Sequence, residues 1–255
     1  MLQYWRRARS LSQLALAHQA EVSPRHICFL ETGRAKPSRE MVMLLSSVLD
    51  VPLRERNALL LAAGYAPIYT EAKLDSPQLG AVESALLAIL RQQEPFPAVV
   101  MNRYWDITRA NAGATRFFGL LLGDREVSDP PNVVRLMFDP AGLRPYVTNW
   151  EQVAETLLSR VHREAVGGVA DAKTTELLAE ALAYPNVPKR LRRLDLATPS
   201  VPVISMRFRK GDHAFNYFST VTTLGTPQDV TLQEMRIECF FPADAATESR
   251  AHALH

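Results

Sequence analysis

The side chains with the clearest chemical pattern lie in a short stretch near the start of the chain. Ser23-Pro24 is a typical helix start, because serine caps free amides and proline fits the first turn. Arg25 and His26 follow in that turn, and Phe29 lies one turn further on. An arginine at the start of an exposed helix can form two parallel hydrogen bonds with the edge of a guanine. We therefore interpret Arg25 as a base-contacting residue rather than a solvated helix charge.

The neighbours of Arg25 fit the same chemistry less specifically. His26 suits a hydrogen bond to a phosphate or a base, and Phe29 suits a contact with a thymine methyl group. For both residues, local packing is an equal alternative. Thr32-Gly33 ends the helix, because glycine tolerates the left-handed conformation there. Arg34 and Lys36 follow, and we expect them to contact the phosphate backbone rather than to read sequence.

The sequence predicts four further helices, which would hold the helix at residues 24–32 in place. Ser12 occupies an N-cap position, and apolar residues from Leu14 to Ala20 recur at helical spacing, which predicts a short helix and a tight turn before residues 24–32. Residues 2–9 form a first helix, with Leu2 and Trp5 inward and with the arginines Arg6, Arg7 and Arg9 outward. Ser38 starts a fourth helix, and Pro52 starts a fifth that ends at Gly64. The pattern predicts an all-α five-helix domain over residues 1–64, followed by a linker at 65–78.

Charge and cysteine content fit this interpretation. Residues 1–64 contain nine Lys and Arg against five Asp and Glu, whereas the rest of the chain contains 20 against 22. The basic excess therefore accompanies the predicted DNA-contacting helix. Cys28 and Cys239 lie far apart without metal-ligand spacing, which favours a reducing compartment. No apolar run approaches the roughly 18 residues that span a bilayer, so we expect a cytoplasmic protein with no membrane contact.

The N-terminal stretch resembles the Cro/repressor-like helix-turn-helix of the xenobiotic-response-element type. The resemblance implies that Gln13 bonds a phosphate, that residues 23 to 26 and Phe29 lie on the groove face, and that residues near Arg34 touch the DNA backbone. That family usually has glycine where this chain has Glu21, so we expect a strained residue in the turn. The correspondence runs through Leu11-Ser12-Gln13, Leu16-Ala17, Ala20, Val22-Ser23, Ile27, Leu30-Glu31, Gly33, Arg34, Pro37-Ser38 and Leu49-Val51-Pro52.

The second part of the chain has a mixed pattern. A predicted helix at 79–93 precedes a hairpin of two strands at 97–101 and 105–110, and further helices follow up to residue 183. Three segments rich in Val, Ile, Thr, Phe and Tyr then predict strands at 201–209, 214–224 and 230–241. This order predicts an α+β PAS-like domain over 79–245 with an antiparallel sheet of about five strands. We expect residues 246–255 to be a flexible tail, in which His252 and His255 form no metal site.

Residues 76–245 resemble the ligand-binding domain of MmyB-like transcription regulators. The resemblance implies a PAS-like pocket with a fatty-acid-like ligand, and it transfers no individual ligand contacts. The matching stretches are 103–107 with 110–111, 132–136, 149–151, 218–223, 225–234 and 240–244.

Eight large apolar residues are candidates for the lining of such a pocket. Core packing is the alternative for each of them, although together they leave room for a ligand. A basic run at 189–193 could hold a ligand carboxylate or lie on DNA, but a solvated face is the simpler interpretation. The pocket candidates are Trp105, Phe117, Phe118, Met137, Trp150, Met206, Phe218 and Ile237.

The sequence therefore predicts a sequence-specific transcription regulator that binds a double-stranded DNA operator and a small apolar or amphipathic ligand. A homodimer is expected, because one recognition helix gives little specificity. The alternative is a ligand-independent DNA-binding regulator whose second domain serves only for assembly or a protein partner. Because HExxH, GxSxG, GxGxxG and P-loop motifs are missing, we expect no enzyme, and no cofactor or metal other than a bound fatty acid or similar molecule.

Overall fold

The computed structural model describes residues 1–166, 171–192, 203–225 and 227–254, and it divides the chain into two compact units. The first unit contains Met1–Ala72 together with Thr226–Gln233. The second contains Lys73–Gly225 and Glu234–His255. The helical unit therefore includes a segment that lies far from it in sequence.

Five α-helices lie within residues 2–62 of the first unit, as predicted. Serine side chains cap three of them, because each hydroxyl accepts a hydrogen bond from the amide three residues later; these are Ser12, Ser23 and Ser38. Trp5, Leu16 and Ile27 are completely or almost completely buried where the helices meet. The helices are α1 (Leu2–Ala8), α2 (Gln13–Gln19), α3 (Pro24–Glu31), α4 (Arg39–Val48) and α5 (Leu53–Ala62).

The turn between α2 and α3 contains the strained residue that the sequence predicted. Glu21 has a φ of 53°, in the left-handed region, and it is exposed. The next residue closes the turn, since the amide of Val22 donates a hydrogen bond of 2.9 Å to the carbonyl oxygen of Ala17. The turn therefore contains a left-handed residue that is not glycine.

The predicted boundary at residue 64 needs correction, because the chain after α5 folds back onto that helix. The Asn57 side chain accepts hydrogen bonds of 3.1 Å from the amides of Ile68 and Tyr69, and it donates one of 2.8 Å to the carbonyl of Tyr69. These bonds satisfy backbone groups that a free linker would leave to water. The first part of the predicted linker thus belongs to the helical unit, which extends to Ala72.

The second unit is an α+β domain with an antiparallel five-stranded sheet, as expected for a PAS-like fold. The strand order is β2-β1-β5-β4-β3. Helix α9 lies against β3 and α10. The strands are β1 (Ala98–Met101), β2 (Ile107–Ala110), β3 (Ile204–Lys210), β4 (His213–Thr222) and β5 (Arg236–Pro242), and the helices are α6 (Gly80–Gln92), α7 (Ala112–Leu122), α8 (Val133–Phe138), α9 (Trp150–Val166), α10 (Ala172–Ala183), α11 (Val230–Glu234) and α12 (Ala245–Ala253).

Two predicted segments differ from the structure, and a capping aspartate explains each difference. Residues 230–234, predicted as part of a strand, form α11, because the Asp229 carboxylate accepts hydrogen bonds from the amides of Thr231 and Leu232. Residues 246–253 of the predicted flexible tail instead belong to α12, whose first turn is capped by Asp244 and whose Thr247 is fully buried, and residue 255 lies outside the described residues. In α11, side-chain capping by Asp229 favours a helix over the strand that the apolar pattern predicted. In α12, capping by Asp244 favours a helix although the segment lies near the end of the sequence.

Replacing Glu21 by glycine should stabilise the helical unit. Glycine adopts a positive φ without the steric cost of a β-carbon, so we expect the free energy of unfolding to rise by about 1 kcal/mol. Urea denaturation followed by circular dichroism measures the change. Glu21→Ala is the matched control, because it removes the carboxylate but keeps the β-carbon. An equal gain in both variants would show that backbone strain is not the cause.

Candidate functional site

The exposed surface of α3 carries the predicted DNA-contacting residues. Ser23, Pro24 and Arg25 are exposed at its start, and His26 and Phe29 are half-buried. On the opposite side, Ile27 is completely buried in the core of the unit. The helix is thus held by one face and presents the other, which is the arrangement that groove recognition requires.

The Arg25 side chain is oriented by a neighbour on the same helix. Its guanidinium carbon lies 5.1 Å from the centre of the Phe29 ring, a cation–π contact across one helical turn. This contact restricts the rotamers of Arg25 before any partner binds, which lowers the entropy lost on binding. Phe29 therefore has a structural role beside its predicted contact with a thymine methyl group.

The end of α3 is fixed by a buried ion pair that the sequence analysis missed. The Arg6 Nε and Nη2 groups donate hydrogen bonds of 2.6 and 2.9 Å to the two carboxylate oxygens of Glu31, whose side chain is 1% exposed. Arg6 Nη1 also donates to the carbonyl of Leu11 at 2.8 Å. The prediction that Arg6 points outward was wrong, because helix α1 turns this residue towards α3.

Gln13 belongs to the same cluster. Its side-chain amide donates a hydrogen bond of 2.7 Å to Glu31, which leaves one N–H of that amide for another acceptor. The phosphate contact of Gln13 remains a prediction. Hydrogen bonding to Arg6 lowers the pKa of the Glu31 carboxyl, and hydrogen bonding to Gln13 acts in the same direction. Burial of the carboxylate opposes both.

The predicted backbone-contacting residues follow the end of α3. Gly33 has a φ of 72°, and the amide of Arg34 donates a hydrogen bond of 2.8 Å to the carbonyl of Phe29. The Arg34 side chain is exposed. Lys36 is also exposed, and its ammonium nitrogen lies 5.7 Å from the ring centre of Tyr65. The structure thus presents both cations at the surface just beyond the predicted recognition helix.

The second unit contains a small apolar cavity between the sheet and its helices. The cavity has a volume of about 30 Å³, which compares with roughly 300–1,000 Å³ for ordinary ligand pockets. A drug-sized or chain-like molecule can enter it only if the lining side chains move apart. The lining residues are Val99, Ile107, Phe118, Val133, Leu136, Met137, Leu143, Leu157, Ile204, Met206, Phe208, Glu238 and Phe240.

Three of the eight predicted pocket residues line the cavity, and five do not. Phe118, Met137 and Met206 line the cavity. Trp105 and Phe117 are buried in the same core, and Trp150 packs against it, but none of these three lines the cavity.

Phe218 and Ile237 lie on the other face of the sheet. Successive strand residues point to opposite faces. Because Glu238 and Phe240 of β5 line the cavity, Ile237 points away from it. Phe218 stacks on Phe241, with the ring centres 5.4 Å apart. Their prediction as lining residues needs correction, because an apolar run in a strand does not by itself show which residues share the cavity face.

Among the ten cavity-lining residues that the sequence analysis did not name, Glu238 is the acidic one. It is 4% exposed and pairs with Val99 of β1 and Val221 of β4. Burial raises the pKa of the Glu238 carboxyl, while the neighbouring Ser219 side chain and the charges of Arg160 and Arg236 oppose the rise. A lone acidic residue within the apolar β5 sequence was the available signal. In the described part of the chain it is the only charged side chain that lines this cavity.

Three further observations on the described residues concern metal sites, membrane-spanning helices and the basic run at 189–193. In the ranges that the structure describes, no three His, Cys, Asp or Glu residues are grouped as a metal site. None of the helices described is long and apolar enough to cross a membrane. In the basic run, Arg190 forms an ion pair of 2.7 Å with Glu151 and Leu191 is buried, whereas Arg193 lies outside the described residues.

The comparisons with known proteins match a family to each part of the chain. Residues 2–56 match the helix-turn-helix family, which defines the class of the first unit. Residues 82–254 match the family described as MmyB-like transcription regulator ligand binding domain. This second match covers more than half of the chain, and the chain therefore belongs to that family. It is a DNA-binding transcription regulator with a ligand-binding domain.

Other comparisons add little. No curated protein matches the chain. Among solved structures, the chain is similar to one titled "Structure of an RNA-binding Light-Oxygen-Voltage Receptor", at 13% identity and a TM-score of 0.28. That alignment covers 99% of this chain and 60% of the other chain. A similarity this low supports no conclusion about fold or function.

Replacing Glu31 by glutamine should destabilise the helical unit at neutral pH by about 3 kcal/mol, because Arg6 would keep a buried charge without its counter-ion. The folded-state pKa of Glu31 is lowered, so the wild-type stabilisation is present above the unfolded pKa, about 4.3, and is lost as the pH falls through the folded value. Urea titrations at a series of pH values between about 3 and 7 measure both effects.

The exposed Glu40 provides the control for this experiment. Hydrogen bonds to its own backbone and to Ser38 lower the pKa of the Glu40 carboxyl as well, but Glu40→Gln leaves no buried counter-ion unpaired. We therefore expect a much smaller change in the free energy of unfolding at neutral pH than for Glu31→Gln. If the two variants unfold alike across the pH range, the Arg6–Glu31 pair does not fix α3.

Proposed function

We propose that this transcription regulator reads its operator in the major groove with α3, and that Arg25 makes the principal base contact. The observation that carries this proposal is the geometry of α3. Its exposed first turn presents Arg25 against Phe29, while Ile27 and Glu31 hold the helix to the core. The fixed fork of the arginine suits the two acceptors on a guanine edge.

Affinity comes from the cations around the helix. Arg34 and Lys36 lie beyond its end and position the protein on phosphates, and the net positive charge of residues 1–64 adds a sequence-independent attraction. Because one short helix reads only a few base pairs, two copies of the chain bind two half-sites as a homodimer. The free thiols of Cys28 and Cys239 fit the reducing cytoplasm.

The second unit binds an amphipathic, fatty-acid-like ligand in this proposal. Apolar side chains around the cavity suit an alkyl chain, and Glu238 is the polar group that meets the other end. In its protonated form, Glu238 donates a hydrogen bond to a ligand carboxyl or carbonyl oxygen. The ligand must bind the opened cavity more tightly than the closed one, because only unequal affinity for two states changes their populations.

One observation favours a second candidate, a ligand-independent regulator. The cavity of about 30 Å³ leaves the described core of the second unit nearly filled. In that case the second unit serves for assembly or for a protein partner. Binding measurements with an alkyl acid separate the two candidates.

Arg25→Ala should weaken binding to an operator selected from random DNA by about 1–3 kcal/mol and relax preference at one base pair. Arg34→Ala is the matched control on the same surface, and it should weaken all sequences uniformly and reduce the salt dependence. Fluorescence anisotropy on the selected site and its single-base variants measures both. Unchanged base preference in Arg25→Ala would reject the role of this residue.

Dodecanoic acid should bind the wild-type protein more tightly at acidic than at alkaline pH, because burial raises the pKa of the Glu238 carboxyl. As the pH rises, ionisation of Glu238 places a second negative charge beside the ligand carboxylate. Glu238→Gln should remove this pH dependence, because an amide donates at either pH. Phe241→Leu, on the opposite face of the sheet, should bind like wild type. Isothermal titration calorimetry that detects no binding at either pH would favour the ligand-independent candidate.

A further inference from the structure

The connection between β4 and β5 has an unexpected location. Strand β4 ends at Thr222 and β5 begins at Arg236, and both belong to the second unit. Between them, Thr226–Gln233 belongs to the helical unit. We call the described residues 227–233 the clamp segment. The chain thus leaves the sheet, contributes to the DNA-binding unit, and returns to form the central strand β5.

Asp229 fixes the clamp segment to the chain that follows α5. One carboxylate oxygen accepts hydrogen bonds from the Thr70 hydroxyl at 2.7 Å and the Ala72 amide at 3.0 Å. The other accepts from the amides of Thr231 and Leu232. Asp229 is 5% exposed. A buried carboxylate that accepts four hydrogen bonds holds all four donors in place.

Gln233 caps helix α5 from 180 positions away in sequence. Its side-chain oxygen accepts a hydrogen bond of 2.6 Å from the amide of Leu53, the first residue of that helix. The N-cap residue is Pro52, which makes no side-chain cap bond. Gln233 therefore satisfies one of the amides that a helix start leaves without an intrahelical partner.

The segment that Asp229 holds is itself bound to α5. Arg54 forms an ion pair with Glu71, and Asn57 bonds the backbone of Ile68 and Tyr69. The amide of Val230 also donates a hydrogen bond of 2.8 Å to the carbonyl of Thr70. The clamp segment thus bonds α5 both directly and through residues 68–72.

We propose that the clamp segment is an integral part of the DNA-binding unit and that it transmits changes in β5 to the start of α5. The path is short and covalent. Two residues separate Gln233 from the start of β5, and β5 contains Glu238 and Phe240, which line the cavity. A displacement of the start of β5 is carried along the chain to Gln233 and so to the cap of α5. The other described strands that line the cavity lack such a connection.

Amide hydrogen exchange in the full chain tests the cap. Gln233→Ala should accelerate exchange at Leu53 about fivefold, the effect of losing one capping bond of about 1 kcal/mol. Gln233→Glu keeps an acceptor oxygen and should restore slow exchange. Gln228→Ala, at an exposed position of the same segment, should leave it unchanged. Unaltered exchange at Leu53 in Gln233→Ala would overturn the proposal.

Asp229→Asn tests the second attachment separately. Asparagine retains one acceptor oxygen for the amides of Thr231 and Leu232, but its amide nitrogen cannot accept from Thr70 and Ala72. We expect exchange at Ala72 to rise about fivefold, with α11 kept. Equal exchange at Ala72 in the variant and the wild type would show that this attachment does not hold the segment.

Two substitutions that each shorten a cavity-lining side chain, one on β5 and one on β3, test whether changes in β5 reach the start of α5. Phe240→Leu on β5 should accelerate exchange at Leu53 by about threefold, whereas Phe208→Leu on β3 lines the same cavity and should not. In the Gln233→Ala background, Phe240→Leu should add nothing further. Equal responses to Phe240→Leu and Phe208→Leu, or none, would overturn transmission. Because the readout needs neither DNA nor ligand, its failure is distinguishable from failure of the proposed function.

Discussion

The position of α3, the proposed recognition helix, depends on the buried carboxylate of Glu31. An unpaired charge at 1% side-chain exposure would be strongly destabilising, so Arg6 and Gln13 must both reach it. These two residues lie on α1 and α2, and their bonds fix the end of α3 relative to both helices. Apolar burial in a core that includes Trp5 and Ile27 is the main favourable contribution to folding, whereas the polar cluster sets the orientation of α3.

The second unit combines dense packing with one costly polar group. Phe117 contacts three other aromatic rings edge-on at about 5.1 to 5.3 Å, and such packing leaves a cavity of only about 30 Å³. Glu238 lies in that cavity wall, where ionisation is disfavoured. A protein selected for stability alone gains nothing from an acid at this place, and buried ionisable groups with raised pKa values are frequent at functional sites.

Much of the helical unit was predictable because its signals are local. Ser12, Ser23 and Ser38 mark three helix starts, and the strain at Glu21 followed from comparison with the usual glycine. The exposed residues of α3 were also predictable from helical spacing. Arg6 was not, because an arginine in an amphipathic helix normally faces water, and only its partner on a distant helix explains its burial.

The sequence by itself determined the order of domains, the five-helix unit and the α+β class of the second unit, since periodicity and caps act within a few residues. The tertiary structure alone decided that Glu238 rather than Ile237 lines the cavity, because strand register is set by neighbouring strands. It also decided that Asp229 and Gln233 belong to the DNA-binding unit. Their partners are 157 to 180 positions away, and no local pattern specifies contacts at that separation.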